Sequence, residues 1–156
     1  MFERGTQREA LELIEIALEA CPIKQSLTYA HLLNSKMMSY FKLNELKEAR
    51  KALQESKSIR EMLLDPADED LAATYSNLGN IEAGEGNLDL GIQYHLRAMR
   101  IRKERPGAEV MTAIGHMCIG RILFWKGQHS AAAEAYKRCD QIFSEKLTPE
   151  NFLMIG

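Results

Sequence analysis

Small and apolar side chains recur at intervals of three and four residues along most of the chain. Between residues 44 and 63 the series is Leu46, Ala49, Leu53, Ser56, Ile59 and Leu63, and residues 87–103 and 128–145 repeat it. This spacing places side chains on one face of an α-helix, and no window alternates polar and apolar residues as a strand would. The pattern predicts seven helices, at residues 6–20, 24–42, 45–62, 68–84, 88–104, 109–126 and 129–146, and an eighth that starts at Pro149.

Residues that end helices recur in two series with a common period of about forty residues. The prolines Pro22, Pro66, Pro106 and Pro149 are separated by 44, 40 and 43 residues. Proline is disfavoured inside a helix, so we expect each of them to mark a helix–helix junction. The second series is spaced by 39, 42 and 41 residues and consists of Gly5, Asn44, Gly86 and Gly127, residue types that enter the left-handed conformation at a helix end. Because a helical hairpin cannot bury its apolar face alone, the two series predict an all-α solenoid.

The repeating unit resembles a tetratricopeptide repeat, which pairs a helix A with a helix B. In the second repeat the matching residues are the Leu-Gly pair of helix A, the turn residue and two small residues of helix B: Leu78, Gly79, Gly86, Gly91 and Ala98. The third repeat has Ile119, Gly120, Gly127, Ala132 and Cys139 at these places, and the first has Asn44, Ala49 and Ser56 at the last three. The period exceeds the usual ~34 residues, so the chain is similar to the long-period subtype of kinesin light chains and of the repeat arrays of fungal and bacterial signalling ATPases.

The resemblance implies a right-handed α-solenoid of stacked antiparallel helix pairs, with residues 1–156 as a single array. Its alignment gives the second half of a repeat at 5–21, full repeats at 22–65, 66–105 and 106–147, and the start of a further repeat at 148–156. Natural arrays end in capping repeats with a polar outer face, and neither end of this sequence shows one. We expect either a fragment of a longer array or a homo-oligomer that pairs through its uncapped terminal helices.

Composition argues against several classes of partner. The chain carries 20 Lys and Arg against 22 Asp and Glu, a net charge of -2, whereas binders of nucleic acid or anionic membranes normally have a basic excess. No apolar run approaches the ~20 residues that a membrane span needs. Three cysteines at unrelated spacings argue against a disulfide framework and favour a reducing compartment. We therefore expect a cytoplasmic protein that binds neither nucleic acid nor membrane.

No combination of residues indicates catalysis, a cofactor or a metal site. The four histidines include no His-x-x-x-His pair, and His116 and Cys118 point to different faces of a helix. His95 falls in an apolar stripe and is expected to be a hydrogen-bonded core histidine. Cys118 is expected to be a small buried hydrophobe and not a reactive thiol. The sequence thus predicts a protein that is not an enzyme and that uses no cofactor or metal.

One dense basic run has two interpretations. It consists of Arg97, Arg100, Arg102, Lys103 and Arg105. Cations are favoured at the C-terminal end of a helix dipole, so a solvated helix terminus is the preferred interpretation. RNA binding through residues 97–105 is the weaker alternative, because it would need the cations on one face beside stacking aromatic side chains.

The resemblance places partner contacts on the faces of the A helices that turn away from the B helices and line a concave groove. Carried over to this chain, that face holds Asn34, Met38, Phe41, Ser76, Asn77, Asn80, Met117, Arg121 and Phe124, and in its wider extent also His31 and Trp125. Asparagine amides can both donate to and accept from the backbone of an extended peptide, and an arginine can form a fork with a carboxylate. For the apolar members, packing against neighbouring repeats is an equal alternative.

The sequence therefore predicts a non-catalytic module that binds a peptide or helix of a partner protein in the concave groove. An alternative is the sensor or autoinhibitory repeat domain of a larger signalling ATPase. Clamping of an acidic chaperone tail is not expected, because only Asn77 matches the Lys, Asn and Arg residues that form the two-carboxylate clamp in that subclass of the family.

Overall fold

The described part of the chain consists of helices joined by short turns. The structure, a computed structural model, describes residues 2–103 and 105–146. Within these ranges the helices are α1 (Phe2–Ala20), α2 (Leu27–Lys42), α3 (Leu46–Leu63), α4 (Glu69–Gly84), α5 (Leu88–Arg102), α6 (Glu109–Trp125) and α7 (His129–Lys146), and there is no strand. The prediction of seven helices is confirmed, although α1 begins earlier and α2 later than the pattern indicates. The eighth predicted helix, at Pro149, lies outside the described residues.

Local chemistry sets most of the helix ends. Asn44, Gly86 and Gly127 have positive φ values of 62°, 89° and 75°, and they follow α2, α4 and α6 at the predicted turns. Ser26 and Asp68 precede α2 and α4, and each side chain accepts a hydrogen bond from a backbone N–H of the first turn. The prediction that Asn44, Gly86 and Gly127 mark helix ends is therefore confirmed.

Gly5 is the exception in that series. It lies inside α1, and its φ is not among the positive values. A glycine in a helix interior costs only about 1 kcal/mol relative to alanine, which the burial of Leu11 and Leu18 on the same helix offsets. The prediction of a turn at Gly5 is therefore wrong.

The helices pack as stacked antiparallel pairs. The hairpins are α2–α3, α4–α5 and α6–α7, with α1 against α2. The second helix of one hairpin also contacts the first helix of the next, α3 with α4 and α5 with α6. One apolar core runs from α2 to α5, and a second forms among α1, α2 and α3. This stacking is the all-α solenoid that the sequence predicts.

Two glycines allow the close approach of α4 and α5. A Cβ atom at Gly79 would lie 2.7 Å from Cδ2 of His95, and one at Gly91 would lie 3.0 Å from the backbone oxygen of Gly79. A side chain at either position would force the two helices apart, because the nearest atoms belong to the backbone or to a buried ring. The Leu78–Gly79 pair therefore has a steric role in the hairpin.

Two arginines in the second helices of successive hairpins are buried and reach α4. Arg60 Nη1 donates a hydrogen bond to Thr74 Oγ1 at 2.7 Å, and Arg102 Nε and Nη2 donate to Glu69 Oε1 at 2.8 and 2.6 Å. The interpretation of the basic run at 97–105 as a solvated terminus is wrong for Arg102. Its guanidinium turns inward because the carboxylate at the start of α4 supplies both a counter-charge and acceptors.

Candidate partner-binding face

The nine residues that the resemblance assigns to partner binding lie on α2, α4 and α6, the first helices of the three hairpins. We call this set the A-helix face: Asn34, Met38, Phe41, Ser76, Asn77, Asn80, Met117, Arg121 and Phe124. Four of its apolar side chains, on α2 and α6, are between 38% and 56% exposed. Large apolar side chains at such exposure are available to a partner.

The α2–α4 part of the A-helix face forms a small cavity. The cavity measures about 100 Å³ and is lined by Met37, Met38, Phe41, Asn77 and Asn80. Its α2 wall is apolar and its α4 wall carries two side-chain amides. The structure thus brings four of the nine predicted residues together at one site, where an apolar side chain and a backbone amide of a partner would each find a matching group.

The α4–α6 part of the face centres on Arg121. Its Nη2 donates a hydrogen bond to Asn80 Oδ1 at 3.3 Å, and its guanidinium lies 5.4 Å from the ring centroid of Trp125. Phe124 packs edge-on against His129, with ring centroids 5.0 Å apart. The contacts with Asn80 and Trp125 therefore hold the Arg121 side chain across the face, although it remains exposed.

Two of the nine residues have side-chain oxygens that face other parts of the fold. Ser76 Oγ accepts a hydrogen bond from Nη1 of the buried Arg102 at 3.0 Å, so it supports the contact between α5 and α4. Asn34 is half-buried, and its Oδ1 has no hydrogen-bond partner within residues 2–103 and 105–146. Because this oxygen is itself buried, a bound segment could donate a hydrogen bond to it only after a rearrangement of the Asn34 side chain.

A polar cluster connects α2 and α4 through Arg60. Arg60 Nη2 lies 3.2 Å from His31 Nδ1, and His31 Nε2 lies 3.6 Å from Asp70 Oδ2. Since an arginine only donates, Nδ1 must be the acceptor and the ring proton sits on Nε2, facing the carboxylate. The sequence placed His31 on the wider A-helix face without indicating these partners.

The two residues considered for chemistry are both buried. Burial lowers the pKa of His95 to about 4, with a further contribution from the charges of Arg121 and Arg102. Its ring nitrogens have no hydrogen-bond partner among the described residues, so the core position is confirmed and the expected hydrogen bond is not found. Burial raises the pKa of the Cys118 thiol, which disfavours the reactive thiolate, as the sequence predicts.

The basic run at 97–105 does not form one free surface. Arg97 lies over the ring of Tyr75, Arg102 is buried, and Arg105 Nη1 donates to the backbone oxygen of Ala67 at 2.8 Å. Cations that are dispersed in this way do not supply the continuous positive track that a nucleic-acid backbone needs.

Within residues 2–103 and 105–146, no group of three or more His, Cys, Asp and Glu side chains is arranged to hold a metal ion. No helix in the same ranges combines the length and apolar character needed to cross a bilayer.

A protein-family model matches the central part of the chain. Residues 28–104 match the family model described as tetratricopeptide repeat. The matched range runs from the start of α2 past the end of α5, and so contains the two hairpins that form the α2–α4 cavity. No curated protein matches the chain in sequence.

Solved structures share the fold over most of the chain. BtubC (BKLC) from P. vanneervenii has a TM-score of 0.82 and 21% identity, over 90% of this chain and 58% of that one. Two crystal structures of nearly identical TPR-like repeats, from a Podosopora anserina protein described as a kinesin light chain, have TM-scores of 0.75 and 0.74 and identities of 17% and 16%. They cover 91% and 92% of this chain and 69% and 70% of their own. The chain thus spans 58% of the length of BtubC, and these likenesses show the fold.

Proposed function

Because residues 28–104 identify the chain as a tetratricopeptide repeat protein, we propose that it is a non-catalytic module whose A-helix face binds a peptide or helix of a partner protein. Repeats of this family are in general protein-interaction modules. The observation that supports the assignment most strongly is the α2–α4 cavity, in which exposed Met38 and Phe41 face the amides of Asn77 and Asn80.

The two walls of the cavity have complementary roles in binding. Met38 and Phe41 offer apolar surface that gains free energy when a partner covers it. Asn77 and Asn80 can each donate to a partner carbonyl and accept from a partner N–H. An extended segment presents apolar side chains and unpaired backbone groups together, so it satisfies both walls at once. We infer that the partner binds through such a segment or through the exposed face of a helix.

Arg121 extends the site toward α6. Its present acceptor within the described residues is a neutral amide oxygen, Asn80 Oδ1, at 3.3 Å. A carboxylate would form a stronger, charge-assisted pair with the same guanidinium. We therefore expect the bound segment to place an acidic group beside Arg121, between the apolar residues of α2 and those of α6.

The test uses an affinity capture in which the tagged chain is compared with its Asn77→Ala/Asn80→Ala variant. Partners are identified by mass spectrometry, and the affinity of the best one is then measured with purified components. The double variant should weaken binding by about tenfold or more, since two hydrogen-bonding amides are lost at the centre of the site.

The matched control is Gln54→Ala/Gln93→Ala. It removes two exposed amides of the same chemistry from α3 and α5, outside the A-helix face, and should leave the affinity unchanged. Equal binding by the asparagine variant and the native chain would show that the A-helix face is not the binding site.

A further inference from the structure

A second cleft lies on the opposite side of α4 from the A-helix face. Leu71 and Tyr75 project about half a helical turn away from Asn77 and Asn80, toward α3 and α5. The cleft measures about 420 Å³. Apart from Pro66, its lining residues come from α3, α4 and α5: Glu61, Leu71, Tyr75, Arg97, Arg100 and Ile101.

Arg97 is held in position at the cleft while keeping donors available. Its guanidinium carbon lies 4.1 Å from the ring centroid of Tyr75, a cation–π contact that restricts the side chain. Its Nη2 forms an ion pair with Glu61 Oε1 at 3.7 Å, which is beyond hydrogen-bond distance. The contact with Tyr75 therefore orients the Arg97 guanidinium, and its N–H groups do not donate hydrogen bonds to Glu61.

Glu61 is already engaged by other donors. Tyr75 Oη donates to Glu61 Oε1 at 2.6 Å, and Lys57 Nζ donates to Oε2 at 3.2 Å. Burial, with the hydrogen bond to Glu61 and its charge adding to the effect, raises the pKa of Tyr75 to about 12, so the phenol remains a donor at neutral pH. Glu61 thus pairs with two cations, Lys57 at 3.2 Å and Arg97 at 3.7 Å, and a single carboxylate cannot balance both positive charges.

Arg100 adds a second positive charge one turn further along α5. It is exposed, and the described part of the chain offers it no hydrogen bond or ion pair. Residues three apart on a helix lie on the same side, so the two guanidiniums stand together at the cleft. Below them the floor is apolar, formed by Leu71 and Ile101.

We propose that this cleft binds an acidic side chain of a partner protein segment, with a neighbouring large apolar side chain of that segment on the floor. The two guanidiniums of Arg97 and Arg100, with Glu61 as the one carboxylate among the lining residues, give the cleft a positive excess that complements a carboxylate, and arginine pairs with planar carboxylates through two parallel hydrogen bonds. The apolar floor, together with exposed Met62 and Leu63 beside Glu61, adds surface that an apolar side chain would cover. This site is separate from the A-helix face.

The experiment is an NMR titration of the uniformly ¹⁵N-labelled chain with a blocked peptide, acetyl-Glu-Leu-Glu-Phe-amide. The proposal predicts shifts concentrated at residues 61–75 and 97–101. The Arg97→Gln/Arg100→Gln variant should bind the peptide with about tenfold lower affinity, because the charge-assisted hydrogen bonds are lost. Both side chains are exposed, so the variant is expected to fold.

Arg138→Gln is the matched control. Arg138 follows Arg97 by 41 residues, lies at the same place in the next hairpin, and is 62% exposed beside Glu134 at 3.5 Å. Its loss should leave the shifts at 61–75 and the affinity unchanged, and acetyl-Ala-Leu-Ala-Phe-amide should not bind. The proposal is overturned if the acidic peptide shifts only A-helix residues, if Arg138→Gln weakens it as much as the double variant, or if the cleft shifts persist without Arg97 and Arg100.

Discussion

At the scale of single residues, burial decides the chemistry of His95. The sequence places this histidine in the apolar stripe of its helix, and the structure confirms the core position. The missing hydrogen bond could not be read from the sequence, because it depends on which atoms α4 brings against the ring. The ring occupies the space that Gly79 leaves open, since a Cβ atom at Gly79 would lie 2.7 Å from Cδ2 of His95.

The buried imidazole predicts a specific loss of stability in acid. Its folded-state pKa of about 4 lies below the 6.5 of the unfolded chain, so the unfolded chain binds the proton more tightly. Stability is unaffected above the unfolded pKa and falls as the pH drops toward the folded one. When the pH falls from 7 to 5, the free energy of unfolding should decrease by about 2 kcal/mol less in His95→Leu than in the native chain. Urea unfolding at both pH values measures this difference. Identical losses in the two proteins would refute the assignment.

At the scale of helices, local sequence signals predict the helices and most of their ends, whereas they do not predict the ion pairs between distant residues. The apolar stripes, prolines and turn residues give the seven helices and most of their ends, because each signal acts within a few residues. The hydrogen bond from Arg102 to Glu69 joins residues that are 33 apart in sequence, and no local signal predicts it. The repeat does contain a hint, since Arg60 and Arg102 are separated by the same 42 residues as Asn44 and Gly86.

The pair Arg102–Glu69 predicts an asymmetry between its two members. Arg102 is 2% exposed, whereas the Glu69 side chain is 38% exposed. Glu69→Ala leaves a buried cation without its carboxylate and should cost about 3 kcal/mol. Arg102→Met fills the same space and leaves a carboxylate that water can reach, so it should cost only about 1 kcal/mol.

Urea unfolding with linear extrapolation measures both changes. Arg100→Met serves as the control, because Arg100 is exposed and its substitution should change stability by less than about 0.5 kcal/mol. Equal losses for Glu69→Ala and Arg102→Met would contradict the assigned difference in burial.

At the scale of the whole molecule, stacking of hairpins creates surfaces that no single hairpin has. The α2–α4 cavity joins Met38 and Phe41 to Asn77 and Asn80, which are about forty residues apart in sequence. The sequence predicted these residues through the family resemblance, because they share a position in the repeat. It did not predict the cleft at Tyr75 and Arg97, since the residues that line that cleft come from three helices and meet only when α3, α4 and α5 pack together.

Site-specific photo-crosslinking can determine whether a partner occupies the A-helix face. Benzoylphenylalanine replaces Met117 on this face or, as the control, Leu90 at the start of α5; the two positions are 42% and 39% exposed. Position 117 should capture a partner peptide, Asn77→Ala/Asn80→Ala should reduce this capture strongly, and position 90 should capture none. Capture from position 90 alone, or undiminished capture from position 117 in the double variant, would show that the partner does not bind the A-helix face.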